Sequence, residues 1–126
     1  MVERTATCAC GQLVVHCADD PQKVSLCHCL ECQKRTGGPF GVGGYFRREG
    51  VTTQGEARTF ARVSDGGHSV TFHFCPDCGS TVFWEMGRKP ELMAVAVGAF
   101  ADPAFPPPTQ AVFAQHRHPW VCSIDI

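Results

Sequence analysis

SVTFHFCPDCGSTVFWEM, residues 69–86, decides the fold. In its first arm Val70, Phe72 and Phe74 alternate with Ser69, Thr71 and His73, the period-2 pattern of a strand with one buried face. In its second arm Val82, Trp84 and Met86 alternate with Thr81, Phe83 and Glu85. Between them stands Cys75-Pro76-Asp77-Cys78-Gly79, so the segment predicts an antiparallel hairpin with two sulfurs at its tip. A Cys-x-x-Cys-Gly knuckle suits a metal because the tight turn aims both thiols to one side, and Gly79 tolerates the positive φ that closes it.

Further strands are predicted on either side. Residues 12–17 are short and β-branched, and begin just after a Cys-Gly turn. Residues 92–97 are almost entirely apolar, which suits a strand buried on both faces. Turn signals at Asp19-Asp20-Pro21, Gly37-Gly38-Pro39, Gly43-Gly44, Glu49-Gly50, Gly55 and Asp65-Gly66-Gly67 recur about every ten residues, the spacing of a small sandwich or barrel-like fold. One short helix is predicted over Leu30–Thr36, ended by Gly37-Gly38. Residues 103–108 hold four prolines and read as an extended surface segment. Residues 111–126 return to mixed apolar sequence and are expected to dock on the core. The chain thus reads as mainly β with one helix, and as a single domain over residues 1–126, without internal repeats.

Composition narrows the function. With 44% hydrophobic and 18% charged residues in 126, the chain has the makings of an ordinary folded core. Eleven basic against twelve acidic residues leave no electrostatic footprint for nucleic acid. No apolar run approaches the roughly 18 residues needed to span a bilayer. The N-terminus lacks a basic start and apolar run, which predicts no secretory signal and a cytoplasmic location. Nine cysteines would also fit a disulfide scaffold. Their odd number, the absence of a signal and spacings as short as Cys8-Ala9-Cys10 favour metal binding instead. Paired knuckles ending in glycine favour zinc over an iron–sulfur cluster.

Seven of those cysteines fall in three clusters: Cys8 and Cys10, Cys27, Cys29 and Cys32, and Cys75 and Cys78. The outer two clusters together supply four thiolates, enough to close a tetrahedral structural zinc site. The middle cluster supplies three and leaves a coordination position free. Three thiolates on Zn²⁺ carry a net charge of −1, which weakens it as an activator of water and suits it to taking a soft fourth ligand, a substrate thiol. Two zinc ions are therefore predicted, and Cys27, Cys29 and Cys32 are the candidate catalytic residues. In the alternative, a fourth protein ligand closes the second site, with His28, His116 and His118 as candidates.

Taken together, Cys8-x-Cys10-Gly11, Cys27-His28-Cys29-x-x-Cys32 leading into Thr36-Gly37-Gly38-Pro39-Phe40, and Phe74-Cys75-x-x-Cys78-Gly79-Ser80 resemble the glutathione-dependent formaldehyde-activating enzymes. That family is also described as S-(hydroxymethyl)glutathione synthase or centromere-protein-V-like. The resemblance implies an Mss4-like zinc-binding β fold, a structural zinc on Cys8, Cys10, Cys75 and Cys78, and a catalytic zinc on Cys27, Cys29 and Cys32. It implies a carbon–sulfur lyase reaction that forms or cleaves a thiol–aldehyde adduct, with a small thiol such as glutathione and formaldehyde or a similar aldehyde as partners. Competing readings from other classes are a non-catalytic zinc module for a protein partner and a redox or metal sensor.

The remaining residues are given plainer roles. Cys17 and Cys122 are expected to be small core hydrophobes, Phe83 and Trp84 to pack in the sheet, and Trp120 to dock the tail. Arg47 and Arg48 read as a strand end, or as contacts to ligand carboxylates. His28 reads as a group that orients a sulfur, or as a surface side chain.

Overall fold

The computed structural model describes residues 2–64 and 66–122. In chain order the strands are β1 (Arg4–Thr7), β2 (Val14–Cys17), β3 (Lys23–Cys27), β4 (Gly41–Arg47), β5 (Val51–Gln54), β6 (Arg58–Val63), β7 (Ser69–Phe74), β8 (Thr81–Met86), β9 (Leu92–Ala96) and β10 (Gln110–Val112). One α-helix, α1 (Leu30–Thr36), lies between β3 and β4. A small sheet has the order β1-β2-β5, and a large one β10-β3-β4-β9-β8-β7-β6. All pairings are antiparallel except that of β10 with β3.

The predicted hairpin is present over the expected residues. Its second arm departs from strict alternation. Register shifts between His73 and Phe74, so that His73 faces Phe83 while Phe74 faces Thr81. Val82 is the extra residue of a bulge. Val82 and Phe83 therefore both enter the main core, while Trp84 joins the cluster on the opposite face.

The central strand β9 explains the two-faced burial. Met93 and Val95 pack into the main core with Val15, Phe46, Val82, Phe83, Phe100 and Phe105. Ala94, between them, packs with Val70, Phe72 and Trp84 on the other side. All three β9 residues are buried, as their unbroken apolar run predicts. The main core also takes Ala6, Val15 and Cys17 from the small sheet, so it lies between the two sheets. The second cluster floors the cavity described below.

β4 contradicts its predicted role. Gly43-Gly44 is not a turn; both residues sit inside a seven-residue strand. The reason is space: a Cβ at Gly43 would lie 2.8 Å from Trp84 Cζ2. Glycine here admits the indole against the sheet. Other boundaries shift slightly, with β2 starting at Val14 and Val97 turning into a short 3₁₀ helix after β9. Cys17 is buried as expected, and burial pushes its thiol up to about 11. Cys122, however, is exposed, and Trp120 is 69% exposed with its ring 5.3 Å from that of His118. Neither packs in a core. Of the C-terminal stretch, β10 does dock on β3, while residues 123–126 lie outside the described residues.

Arg47 ends β4 in the open, near Asp19 and Glu49. Arg48 Nη1 instead donates to Glu85 Oε1 at 2.7 Å, and this bond holds the Glu85 carboxyl below its ordinary value. A carboxylate depressed in the folded state stabilises the fold above its unfolded pKa and loses that contribution as pH falls through the folded value. Both side chains remain more than a third exposed, so solvent screening limits the effect. Glu85→Gln is expected to cost about 0.5–1 kcal/mol at neutral pH, with the difference from wild type shrinking as pH falls below the ordinary carboxylate range. Urea melts of the two proteins across that range would check it.

Candidate metal centres and the adjoining cavity

Cys8 and Cys10 lie in the β1–β2 connection, and Cys75 and Cys78 at the tip of the β7–β8 hairpin. The fold brings all four sulfurs within 4.8 Å of one another. Cys8 Sγ is 3.6 Å from Cys10 Sγ, which is 3.7 Å from Cys75 Sγ. Zinc–sulfur bonds of about 2.3 Å put the sulfurs of a regular tetrahedron about 3.8 Å apart, so this donor set fits the ion. Both knuckles close on glycines of positive φ, 86° at Gly11 and 79° at Gly79. Each Gly N–H bonds back to the first cysteine carbonyl, Gly11 to Cys8 and Gly79 to Cys75.

Donors to the sulfurs complete this centre. The Leu13 N–H reaches Cys8 Sγ at 3.3 Å, and the Asp77 N–H reaches Cys75 Sγ at 3.4 Å. Gln12 Nε2 donates to Cys75 Sγ at 3.0 Å and to the Glu56 carbonyl at 2.7 Å, while its Oε1 accepts from the Glu56 N–H at 2.9 Å. Gln12 thus ties the sulfur cluster to the segment following β5. Sequence reasoning missed it; its place directly after Cys10-Gly11 was the only signal. The Ser80 hydroxyl and N–H pull the Cys78 thiol down to about 5. Such donors favour thiolate, the form that ligates a metal.

Cys27, Cys29 and Cys32 form the second group, also with sulfurs within 4.8 Å. Cys27 ends β3, Cys29 caps α1, and Cys32 lies in its first turn. The cap is made by sulfur: Cys29 Sγ accepts from the Cys32 N–H at 3.3 Å. The Cys27 thiol, followed by Cys29 and the positive charges of Arg35 and Arg62, brings Cys32 down to about 6 against the effect of burial. Cys27 is pushed up by its bond to Cys32 and by desolvation, and Cys29 chiefly by burial.

None of the three candidate histidines joins this group. His28 is 3% exposed, rather than a surface side chain, and meets Phe40 edge-on at 6.0 Å. Its Nδ1 has no partner among the described residues, and burial, then Arg117, lowers its pKa. His118 Nε2 pairs with Gln33 Oε1 at 2.8 Å, and Gln33 Nε2 donates to the carbonyls of His28 and His116. These histidines brace α1 through Gln33. Among the described residues the trio stands as three sulfurs with no fourth side-chain ligand in the group.

The trio opens into a cavity of about 450 Å³ whose walls include Tyr45, Phe72, Trp84 and Phe113. Gly41 and Gly43 of β4 line it beside the sulfurs. A Cβ at Gly41 would lie 2.6 Å from Arg35 Nη2, so the bare backbone leaves room for that guanidinium. A second hollow, of about 840 Å³, touches Cys8 and Cys78. There the four sulfurs would complete a tetrahedron around an ion and leave no coordination position for a guest.

Two thiol-rich groups, one of four sulfurs and one of three beside a cavity, on a frame of two β-sheets, define a β-rich protein whose cysteine groups could hold metal ions. A family model described as glutathione-dependent formaldehyde-activating enzyme matches residues 3–116, a span that includes all seven sulfurs. The chain belongs to that family, and its fold is the Mss4-like β architecture. A crystal structure of a Rhodobacter sphaeroides protein shares the fold, with a TM-score of 0.61 at 16% identity, over 85% of this chain and 98% of that one. No curated protein gave a match.

Proposed function

We propose that residues 1–126 form one zinc-binding domain that acts as a carbon–sulfur lyase, forming or cleaving the adduct of a small thiol, such as glutathione, and formaldehyde or a similar aldehyde. The supporting observation is the division of sulfurs: the three-cysteine group, one ligand short of a tetrahedron, lines a half-enclosed cavity. Family membership supports the pairing of glutathione with formaldehyde.

In this reading Cys8, Cys10, Cys75 and Cys78 hold a structural zinc, and Cys27, Cys29 and Cys32 hold the catalytic one. Zinc in the second group supplies acidity to a thiol sulfur, making it a nucleophile at neutral pH. The chain's own part is geometric and electrostatic. The α1 cap fixes Cys29 against Cys32, so the trio keeps one face toward the cavity. Tyr45, Phe72 and Trp84 give the cavity an aromatic wall that limits water on that side of a reactive aldehyde. In the forward step the substrate sulfur bonds to the aldehyde carbon, the carbonyl π pair moves to oxygen, and the proton lost from sulfur ends on that oxygen. The reverse step breaks the carbon–sulfur bond and restores both reactants. All nine cysteines are free, which suits a reducing compartment such as the cytoplasm.

Carbon-13 exchange spectroscopy on labelled formaldehyde and glutathione tests the activity. The zinc-loaded protein is expected to speed exchange between free aldehyde and thiol adduct well above the spontaneous rate. Equal rates with and without protein contradict the proposal.

A further inference from the structure

Lys23, Arg35, Arg62, Arg88 and Lys89 line the cavity, and no aspartate or glutamate does so among the described residues. Like charges around a half-enclosed space repel with less screening than on an open surface, and they favour an anionic guest. Two of the five are placed for more than a general field. The Arg35 guanidinium carbon lies 4.5 Å from the Trp84 ring centre and 5.6 Å from that of Phe72. Arg62 lies 5.2 Å from the same Phe72 ring. Stacking of this kind fixes a guanidinium's position while leaving its in-plane N–H groups free to bond elsewhere.

Among the described residues, no side chain or carbonyl accepts a hydrogen bond from either guanidinium. Among the described residues, neither guanidinium appears in an ion pair. Arg35 Nε is buried without a hydrogen-bond partner, an arrangement that costs free energy unless a ligand supplies the acceptor. Arg35 stands one helical turn beyond Cys32, so a group bound to it lies beside the sulfur trio. A carboxylate matches the planar fork of a guanidinium with two parallel bonds.

We propose that Arg35 and Arg62 form a carboxylate-binding subsite, so that the thiol selected by this cavity is an anionic one. The selection of a thiol rests on the function proposed above; the subsite itself is a binding property that stands or falls separately. The probe is S-methylglutathione, which keeps the carboxylates of glutathione but has no free thiol to react. Calorimetric titration of the zinc-loaded protein is expected to show binding, weakened about tenfold in Arg35→Gln and in Arg62→Gln, and partly restored in Arg62→Lys. The preference for glutathione over the uncharged 2-mercaptoethanol, measured as a ratio of kcat/KM, is expected to fall about tenfold in the same variants.

Metal content and circular dichroism establish that each variant is folded; if Arg35→Gln is not, Arg62→Gln decides the matter. No binding to wild type, or unchanged binding in the folded variants, overturns the subsite. Wild type that binds the probe yet makes no adduct overturns the lyase and upholds the subsite. Wild type that turns over with an unaltered thiol preference in the folded variants does the reverse.

Discussion

Cys75→Ser is expected to abolish cooperative folding and to leave at most one zinc per chain. Cys75 is 0% exposed and sits where the β7–β8 hairpin of the large sheet meets the β1–β2 connection of the small one. Its sulfur is 3.7 Å from Cys10 Sγ and also accepts from Gln12, so its loss unfastens two links between distant parts of the chain. Serine offers a harder oxygen in place of a thiolate and is a far poorer zinc ligand. Structural zinc contributes on the order of 10 kcal/mol in small domains, comparable with a whole domain's stability of about 5–15 kcal/mol. Thermal unfolding followed by circular dichroism, with metal analysis of the same sample, checks this. A sharp transition within a few degrees of wild type would show that the four-sulfur centre does not hold the fold.

Cys29→Ser is expected to separate folding from chemistry. The substituted position is the N-cap of α1, where serine is itself among the best residues, so its hydroxyl can take over the bond from the Cys32 N–H. What it cannot replace is the third thiolate. The variant should keep its cooperative melt and its four-sulfur zinc, lose the second zinc, and lose roughly a hundredfold or more of the exchange rate. Collapse of the fold would mean that the trio is structural, the outcome required by a non-catalytic zinc module. Full activity would place the chemistry elsewhere.

The difference between these two substitutions was legible in the sequence because thiolate chelation is local. Cysteines one to three residues apart have few other uses, and the seven sulfurs lie in one group of four and one of three that could each hold an ion. The hairpin over residues 69–86 and the helix over Leu30–Thr36 were equally plain, since each carries its own period and its own stop. β4 was hidden for the opposite reason. Gly43 makes room for Trp84, about forty residues away, and nothing beside it announces an indole. β6 escaped because it is mostly exposed and has no apolar alternation to report. β10 joins β3 in parallel from the far end of the chain, a contact that no local pattern encodes.

The site was readable to the same depth and no further. Candidate ligands show in the sequence; their supports do not. Gln12 reaches Cys75 only after a long stretch of chain has folded back, and Arg35 meets Trp84 and Phe72 only across the sheet. Trp120 and Cys122 erred in the other direction: apolar character near the end of the chain predicted docking, but neither is buried.

The central claim is that one metal is fully enclosed by protein sulfur while the other retains a position for a substrate thiol. X-ray absorption at the zinc edge, on protein carrying two zinc ions and titrated with glutathione, tests it most directly. The account predicts an average sulfur count per zinc midway between three and four, rising toward four as thiol is added. A count already at four before titration, or one that glutathione leaves unchanged, contradicts it.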